Sequence, residues 1–239
     1  MDIFRVDAAS AKSLTVRWAA GSVNVSVTEG ADEDAVEFWE TSERDLSEGQ
    51  RMRWSTEGGT LKIDYGRWLG GFMFTRKDLN VRIPRAIASS LNQVRIDGSS
   101  GSYRVEGIGC NVLSFKIASG KANVEDVAAQ SLHVDLASGA LSAMGRFAAG
   151  VKLRVASGET RVFCVGTCPR EVDVDAASGK VRLALPKSDG FTVRLTKASG
   201  KFASGFPLEQ RGNVYRYGDG SARIGVRLAS GSMALDCVG

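Results

Sequence analysis

The stretch "LASGALSAM", residues 136–144, decides how the chain is read. "IASGKANVE" at 117–125 and "VASGETRVF" at 155–163 flank it at equal distances. Each writes a Ser-Gly pair between two short runs in which apolar residues alternate with others. With each serine taken as a corner, the pairs fall at Ser100-Gly101, Ser119-Gly120, Ser138-Gly139, Ser157-Gly158, Ser178-Gly179, Ser199-Gly200 and Ser230-Gly231. The corner moves in equal steps as far as Ser157, in slightly longer ones to Ser178 and Ser199, and in one longer still to Ser230. A repeat with a period of about 20 residues is the mark of a solenoid in which each repeat is one coil.

Before each corner the apolar positions lie two, four and six residues upstream, as in Leu132, Val134 and Leu136, or Val151, Leu153 and Val155. After it they lie three and five residues downstream, as in Val181 and Leu183, or Met233 and Leu235. Period two on both sides makes each coil strand, corner, strand. The inward parity is even before the corner and odd after it, so the chain slips by one residue as it bends. Glycine tolerates the backbone angles of such a bend, and serine can hydrogen-bond the polar groups the bend frees.

The outward residues test the stacking independently. Three residues upstream of successive corners stand Asp97, Lys116, Asp135, Arg154 and Asp175, whose signs alternate. Opposite charges on neighbouring strands attract and like charges repel, so the series predicts parallel coils in register, about 4.8 Å apart.

Residues 94–239 are therefore read as the repeats, with an insertion near 204–221 that either binds something or closes the last coil as a hairpin. Residues 1–93 are read as a degenerate first coil followed by a strand-rich cap. Leu14, Val16 and Trp18 precede an Ala20-Gly21 corner, and Val23, Val25 and Val27 follow it. The expected fold is all-β, a right-handed parallel β-solenoid with an N-terminal cap covering its open end.

Composition narrows the chemistry. The 239 residues are 43% hydrophobic and carry a net charge of +4 spread along the chain, unlike the clustered basic stripe of a nucleic-acid binder. No nucleic-acid partner is expected. No segment approaches the roughly 18 apolar residues of a membrane span, and the first residues lack a signal-peptide core. As written the sequence reads as cytoplasmic, with envelope association the expectation if a leader or anchor was removed. Cys110, Cys164, Cys168 and Cys237 are too scattered for a disulfide framework. Cys164 and Cys168 lack the further clustered ligands of a zinc site, so no metal and no cofactor are expected.

Two surfaces stand out. Outward positions after the corners carry Lys121, Lys180 and Lys201 in one row and Arg104, Arg161 and Arg182 in the next, with Glu159 the one acid among them. Such rows can follow the spaced charges of a polyanion such as an acidic glycan. The segment "RWLGGFMFTRK" gathers Trp68, Phe72 and Phe74, either as a plug inside the cap or as an exposed contact patch.

Two catalytic readings compete with these. Lys152, Arg154, Asp173 and Asp175 would cluster on adjacent coils, as in a β-helix enzyme acting on an acidic polysaccharide. They also belong to the alternating ladder, and charges that neutralise one another are poor acids and bases. Ser131, His133 and Asp135 share the outward side of one strand. Residues two apart on a strand are about 6.7 Å apart, too far for the hydrogen bonds of a triad.

The corner repeat, with "QVRIDGSSG", "SFKIASGKANV", "LHVDLASGAL" and "YGDGSARIGVRLASG", resembles the DUF4097 family of bacterial proteins, which carry the label adhesin. The similarity covers most of residues 12–239. It implies a right-handed β-solenoid, bacterial origin and a role near the cell envelope or its regulatory systems, and it brings no catalytic residues. Together these readings predict a non-enzymatic binding or scaffold module whose partner is an acidic glycan, another protein or a second copy of itself.

Overall fold

A computed structural model describes residues 2–28, 34–66, 75–188 and 190–238. Two long strands, Lys121–Leu136 and Ala140–Val155, show how one coil passes into the next. Each holds the run after one Ser-Gly corner and the run before the following one. Between the two runs the strand makes a second bend, with register shifts between Val124 and Val127 and between Ala129 and Ser131. Asp126 takes a positive φ of 49° at that bend. A coil thus has two sides, one before and one after its corner, and the coils stack into two facing, mostly parallel sheets. The β-solenoid expected from the repeat is the fold of the chain.

The corner chemistry is visible in the backbone. Gly139 has φ +106°, and a Cβ there would lie 2.1 Å from the Gly120 carbonyl oxygen. Gly158 repeats the arrangement on the next coil, with φ +97° and 2.2 Å to the Gly139 oxygen. Each corner glycine occupies the space its neighbour's side chain would need. The main-chain ladder continues around the bend: the amide of Ser119 donates to the Ser99 carbonyl at 2.8 Å and that of Lys121 to the Gly101 carbonyl at 2.9 Å. The serine hydroxyls of Ser178 and Ser230 donate to the Ala156 and Ala177 carbonyls, at 3.1 and 3.2 Å.

Spatial order departs from chain order at both ends of the stack. Ser13–Trp18 pairs in parallel with Thr60–Asp64 on one side and Leu91–Gly98 on the other. Gly21–Thr28 likewise sits between Lys77–Pro84 and Ser102–Glu106. The segment expected to be only cap therefore supplies a further coil, outside the coil that precedes it in sequence. At the far end Ala222–Leu228 lies between Glu171–Ala176 and Gly190–Lys197, and Ser232–Val238 lies between Lys180–Pro186 and Lys201–Ser204. Parallel in-register pairing is satisfied by any coil with the same alternation, so the repeat pattern alone does not fix neighbours.

Antiparallel strands end three of the four sheet edges, and the parallel strand Lys201–Ser204 ends the fourth. Arg53–Glu57 covers Thr60–Asp64, and Ala35–Ser42 covers Lys77–Pro84 and in turn carries Phe4–Asp7. At the other end the hairpin of Glu209–Arg211 and Val214–Gly218, inside the 204–221 insertion, pairs with Gly190–Lys197. Covered edges of this kind are how sheets avoid pairing with other chains.

Placed in spatial order, the charge row is longer than the sequence period reveals. It reads Asp64, Arg17, Asp97, Lys116, Asp135, Arg154, Asp175, Arg227, each the register partner of the next. All eight signs alternate. Arg17 reaches Asp64 at 3.6 Å, Arg154 reaches Asp135 at 3.7 Å and Arg227 reaches Asp175 at 3.4 Å. Such exposed pairs are worth about 0 to 1 kcal/mol each, so they set register more than stability.

Stability comes from the space between the sheets, filled by inward side chains such as Val16, Val94, Leu113, Leu132, Leu153 and Val174, all fully buried. Complete burial of each is worth about 1.5 to 3 kcal/mol. Three buried acids give this core a pH limit. Desolvation pushes the Cys110 thiol up to about 11 and the Cys164 thiol and Tyr103 phenol up to about 12. Each holds its proton more tightly folded than unfolded, so its contribution is complete below the unfolded pKa and is lost as pH rises through the folded one. Buried Lys77, whose pKa desolvation lowers, works in the opposite sense just below its ordinary value. Urea unfolding free energy is expected to stay level up to about pH 8 and to fall from about pH 9 upward. Burial also raises the Cys168 thiol, so Cys110→Ala/Cys164→Ala/Cys168→Ala should delay that fall to about pH 10, where the phenol takes over. An onset unmoved by the triple substitution would exclude these thiols as its cause.

Candidate functional site

The six cations after the corners lie on one sheet face, and the structure divides them. Arg104, Lys121 and Arg161 share an open trough of about 770 Å³ with Ser22, Asn24 and Asn123. Alternation aims these polar side chains outward, and in-register stacking repeats them along the coils. Lys180, Arg182 and Lys201 lie outside that trough, nearer the far end. There Ser232 separates Lys180 from Lys201, and Arg182 neighbours Ala234. The late strand Ser232–Val238 thus dilutes the lysine row with a serine.

Arginines and lysines differ on this face. Arg104 reaches Glu106 and Glu125, both at 3.0 Å. Arg161 reaches Glu159 at 2.8 Å, and Arg182 is hydrogen-bonded to Asp236. The partner acids stand on the same strand or on the neighbouring one. Lys121, Lys180 and Lys201 are exposed and make no ion pair among the described residues. A polyanion would meet lysines directly and would compete with carboxylates for the arginines.

A second trough, of about 730 Å³, runs along the other side of the corners. The charge ladder from Asp64 to Arg154 forms one wall, and Ala19, Ser99, Ala118, Ala137 and Ala156 line it beside the corners. Sequence reading passed over this surface. Its signal is the residue immediately before each corner, which is always alanine or serine.

The acid and base candidates do not assemble into a reacting centre. Lys152 registers with Asp173 and Arg154 with Asp175. Arg227 on the inserted coil then binds both carboxylates, Asp173 at 3.1 Å and Asp175 at 3.4 Å. His133 is exposed between Ser114 and Lys152 on the adjacent coils. Cys110 and Cys164 are buried, while Cys168 and Cys237 are partly exposed. Among the described residues no three His, Cys, Asp or Glu are grouped to hold a metal ion. Trp68, Phe72 and Phe74 lie outside the described residues.

Another group escaped the sequence reading. Lys77 occupies the register position opposite Gly21 at the corner of the outermost N-terminal coil, and its side chain is completely buried. Its ammonium donates to Glu40 Oε2 and to the Gln50 carbonyl, both at 2.8 Å, and to the Tyr65 carbonyl. It lies over the rings of Tyr65 and Trp18, at 4.1 and 5.0 Å from their centroids. The Trp18 indole nitrogen donates to the Lys77 carbonyl at 2.9 Å. With all three ammonium protons used internally, Lys77 is a structural plug and not a ligand contact.

Comparison with functionally curated proteins gives no match. Among solved structures, the chain is similar to a "putative cell adhesion protein" from Clostridium sporogenes ATCC 15579, at 15% identity and TM-score 0.45, covering 99% of this chain and 98% of the other. It is similar to a "putative adhesin" from Bacteroides fragilis NCTC 9343, at 12% identity and TM-score 0.38, with 98% and 97% covered. A "putative lipid binding protein" from Parabacteroides distasonis ATCC 8503 matches at 15% identity and TM-score 0.45, with 100% and 96% covered. The model of the Toastrack DUF4097 family matches residues 12–235, nearly the whole stack with its end strands, and the chain belongs to that family.

Proposed function

We propose that the chain is a non-enzymatic binding module that holds an extended acidic glycan along the trough after the corners. The observation that carries this reading is the trough itself, open and lined by successive coils. Arg104, Lys121 and Arg161 outnumber Glu106 and Glu159 among its charged groups, and Ser22, Asn24 and Asn123 supply neutral hydrogen-bonding groups. Arg104 and Arg161 are three coils apart, about 14 Å, with Lys121 on the coil after Arg104. A repeating surface of this kind suits a repeating ligand. The pairing of Asp173 and Asp175 to Arg227 favours binding over bond cleavage.

Calorimetry with polygalacturonate, and with a neutral glycan of similar length, tests the proposal. Polygalacturonate is expected to bind with an affinity that falls steeply between about 50 and 300 mM salt, and the neutral glycan to bind far more weakly. Lys121→Glu should weaken binding about tenfold, which is about 1.4 kcal/mol, while Lys12→Glu outside the trough leaves it unchanged. The glycan should be recovered with no new reducing ends. Absence of binding, or binding indifferent to Lys121→Glu, would overturn the reading.

A further inference from the structure

The row of eight alternating charges has a property that no single pair in it has. Turned end for end, it becomes its own complement. Asp64 then faces Arg227, Arg17 faces Asp175, Asp97 faces Arg154 and Lys116 faces Asp135. This follows from the strict alternation of these eight positions; beyond them Arg53, the register partner of Asp64, would face Thr196, the neutral register partner of Arg227. Laid side by side in the same direction, two such rows would instead set like charges against like. A two-fold axis along the strand direction produces the reversed arrangement, the self-matching geometry of an isologous contact.

We infer that a second copy of this chain docks on the ladder and the small-residue trough beside it, with the two stacks antiparallel. Three observations support that occupant. Six of the eight ladder side chains are exposed, Arg17 at 63% and Arg154 at 59% among them, and these two arginines hold their ladder partners only at 3.6 and 3.7 Å, so they can engage a second partner. The adjoining row of Ala19, Ser99, Ala118, Ala137 and Ala156 presents no bulk to keep another backbone away. Finally, among closed two-fold arrangements only reversal satisfies the charges; rows running in the same direction match only when offset by one coil, a contact that does not close.

The next outward row, farther from the corners, limits the contact. On reversal Arg95 would face Lys152, a like pair, so the contact lies on the corner side of the ladder. The row is about 34 Å long over seven coil steps. A strip about 15 Å wide covers about 500 Å² per copy, below the roughly 800 Å² of a standard interface. The dimer is accordingly weak and salt-dependent. It uses the opposite side of the corners from the glycan trough and does not rest on that reading.

The test is sedimentation velocity from about 10 to 500 μM protein at about 50 and 500 mM salt. The wild-type chain should dimerise at low salt and dissociate at high salt. Arg17→Asp and Asp175→Arg stand about 24 Å apart within one chain, five coils, but face each other across the dimer. Either variant alone places two like-charged pairs in the contact and should weaken dimerisation at least tenfold. Mixed in equal amounts, the two variants should form a heterodimer in which every pair is again opposite, with wild-type affinity. A disturbance confined to folding cannot be cured by mixing. A wild-type chain monomeric throughout, a dimer indifferent to both variants, or variants that stay monomeric when mixed would each overturn the inference.

Discussion

Replacing Gly139 by alanine is expected to lower the free energy of unfolding by about 3 kcal/mol or more. Two penalties combine at this corner. The backbone holds φ at +106°, a conformation that L side chains rarely adopt, and the added Cβ would lie 2.1 Å from the Gly120 oxygen. Neither can relax alone, because the Gly120 carbonyl also accepts the Ala140 amide at 2.9 Å in the ladder around the corner. Moving the carbonyl to admit a methyl group would break that bond and shift the coils on either side. Ser178→Ala, which loses one exposed hydroxyl bond to the Ala156 carbonyl, should cost about 1 kcal/mol or less. Urea titrations of both variants check the contrast. Equal losses would mean that the serine, not the glycine, sets the corner.

The second large effect is expected at Lys77. Lys77→Met keeps most of the side-chain volume but leaves Glu40 and the Gln50 and Tyr65 carbonyls without their donor. Removing one member of a buried ion pair costs about 3 to 5 kcal/mol, because the remaining charge is stranded. Glu40 is 11% exposed and also accepts the Met52 amide at 2.7 Å, so some of its charge stays solvated by the protein. The expected loss is therefore at the lower end, about 3 kcal/mol. Glu40→Gln keeps an acceptor for Met52 while removing the charge. The double variant should be no less stable than Lys77→Met, giving a coupling of about 2 kcal/mol or more in a double-mutant cycle. Simple additivity would show that the pair contributes little and that the ring contacts hold the plug.

These two sites also mark what the sequence makes legible. Gly139 is conspicuous because the same steric problem recurs at successive corners from Gly101 to Gly158 and has the same positive-φ solution, so period, corner and inward alternation can be read directly. Lys77 sits at an equivalent corner but in a coil without the Ser-Gly letters, and nothing local separates a buried lysine from a surface one. The neighbours of the outer coils were hidden for a different reason. Chain order places Thr196 after Asp175 in the charge row and Arg227 after that. Moving the last coil inward sets Arg227 beside Asp175 and restores alternation. The ladder therefore held the clue to spatial order, but only if sequence neighbours were not assumed to be spatial ones. Of the six cations singled out after the corners, Arg104, Lys121 and Arg161 share a trough. The acids that pair with the arginines lie partly in the next outward row, which a row-by-row reading leaves out.

The inward placement of the last coil bears on the order in which the protein can be made. Residues 171–186 emerge from a ribosome well before residues 222–238, which supply their neighbours on the growing side of the stack. Gly190–Lys197 and Lys201–Ser204 appear in between, yet they stack on strands not yet synthesised. Until those strands arrive, the nascent sheets present an apolar-backed edge to which the earlier segment could attach in the wrong place. Completion of this β-solenoid is thus a late insertion and not a final layer, and that interval is when a chaperone would find the most to bind.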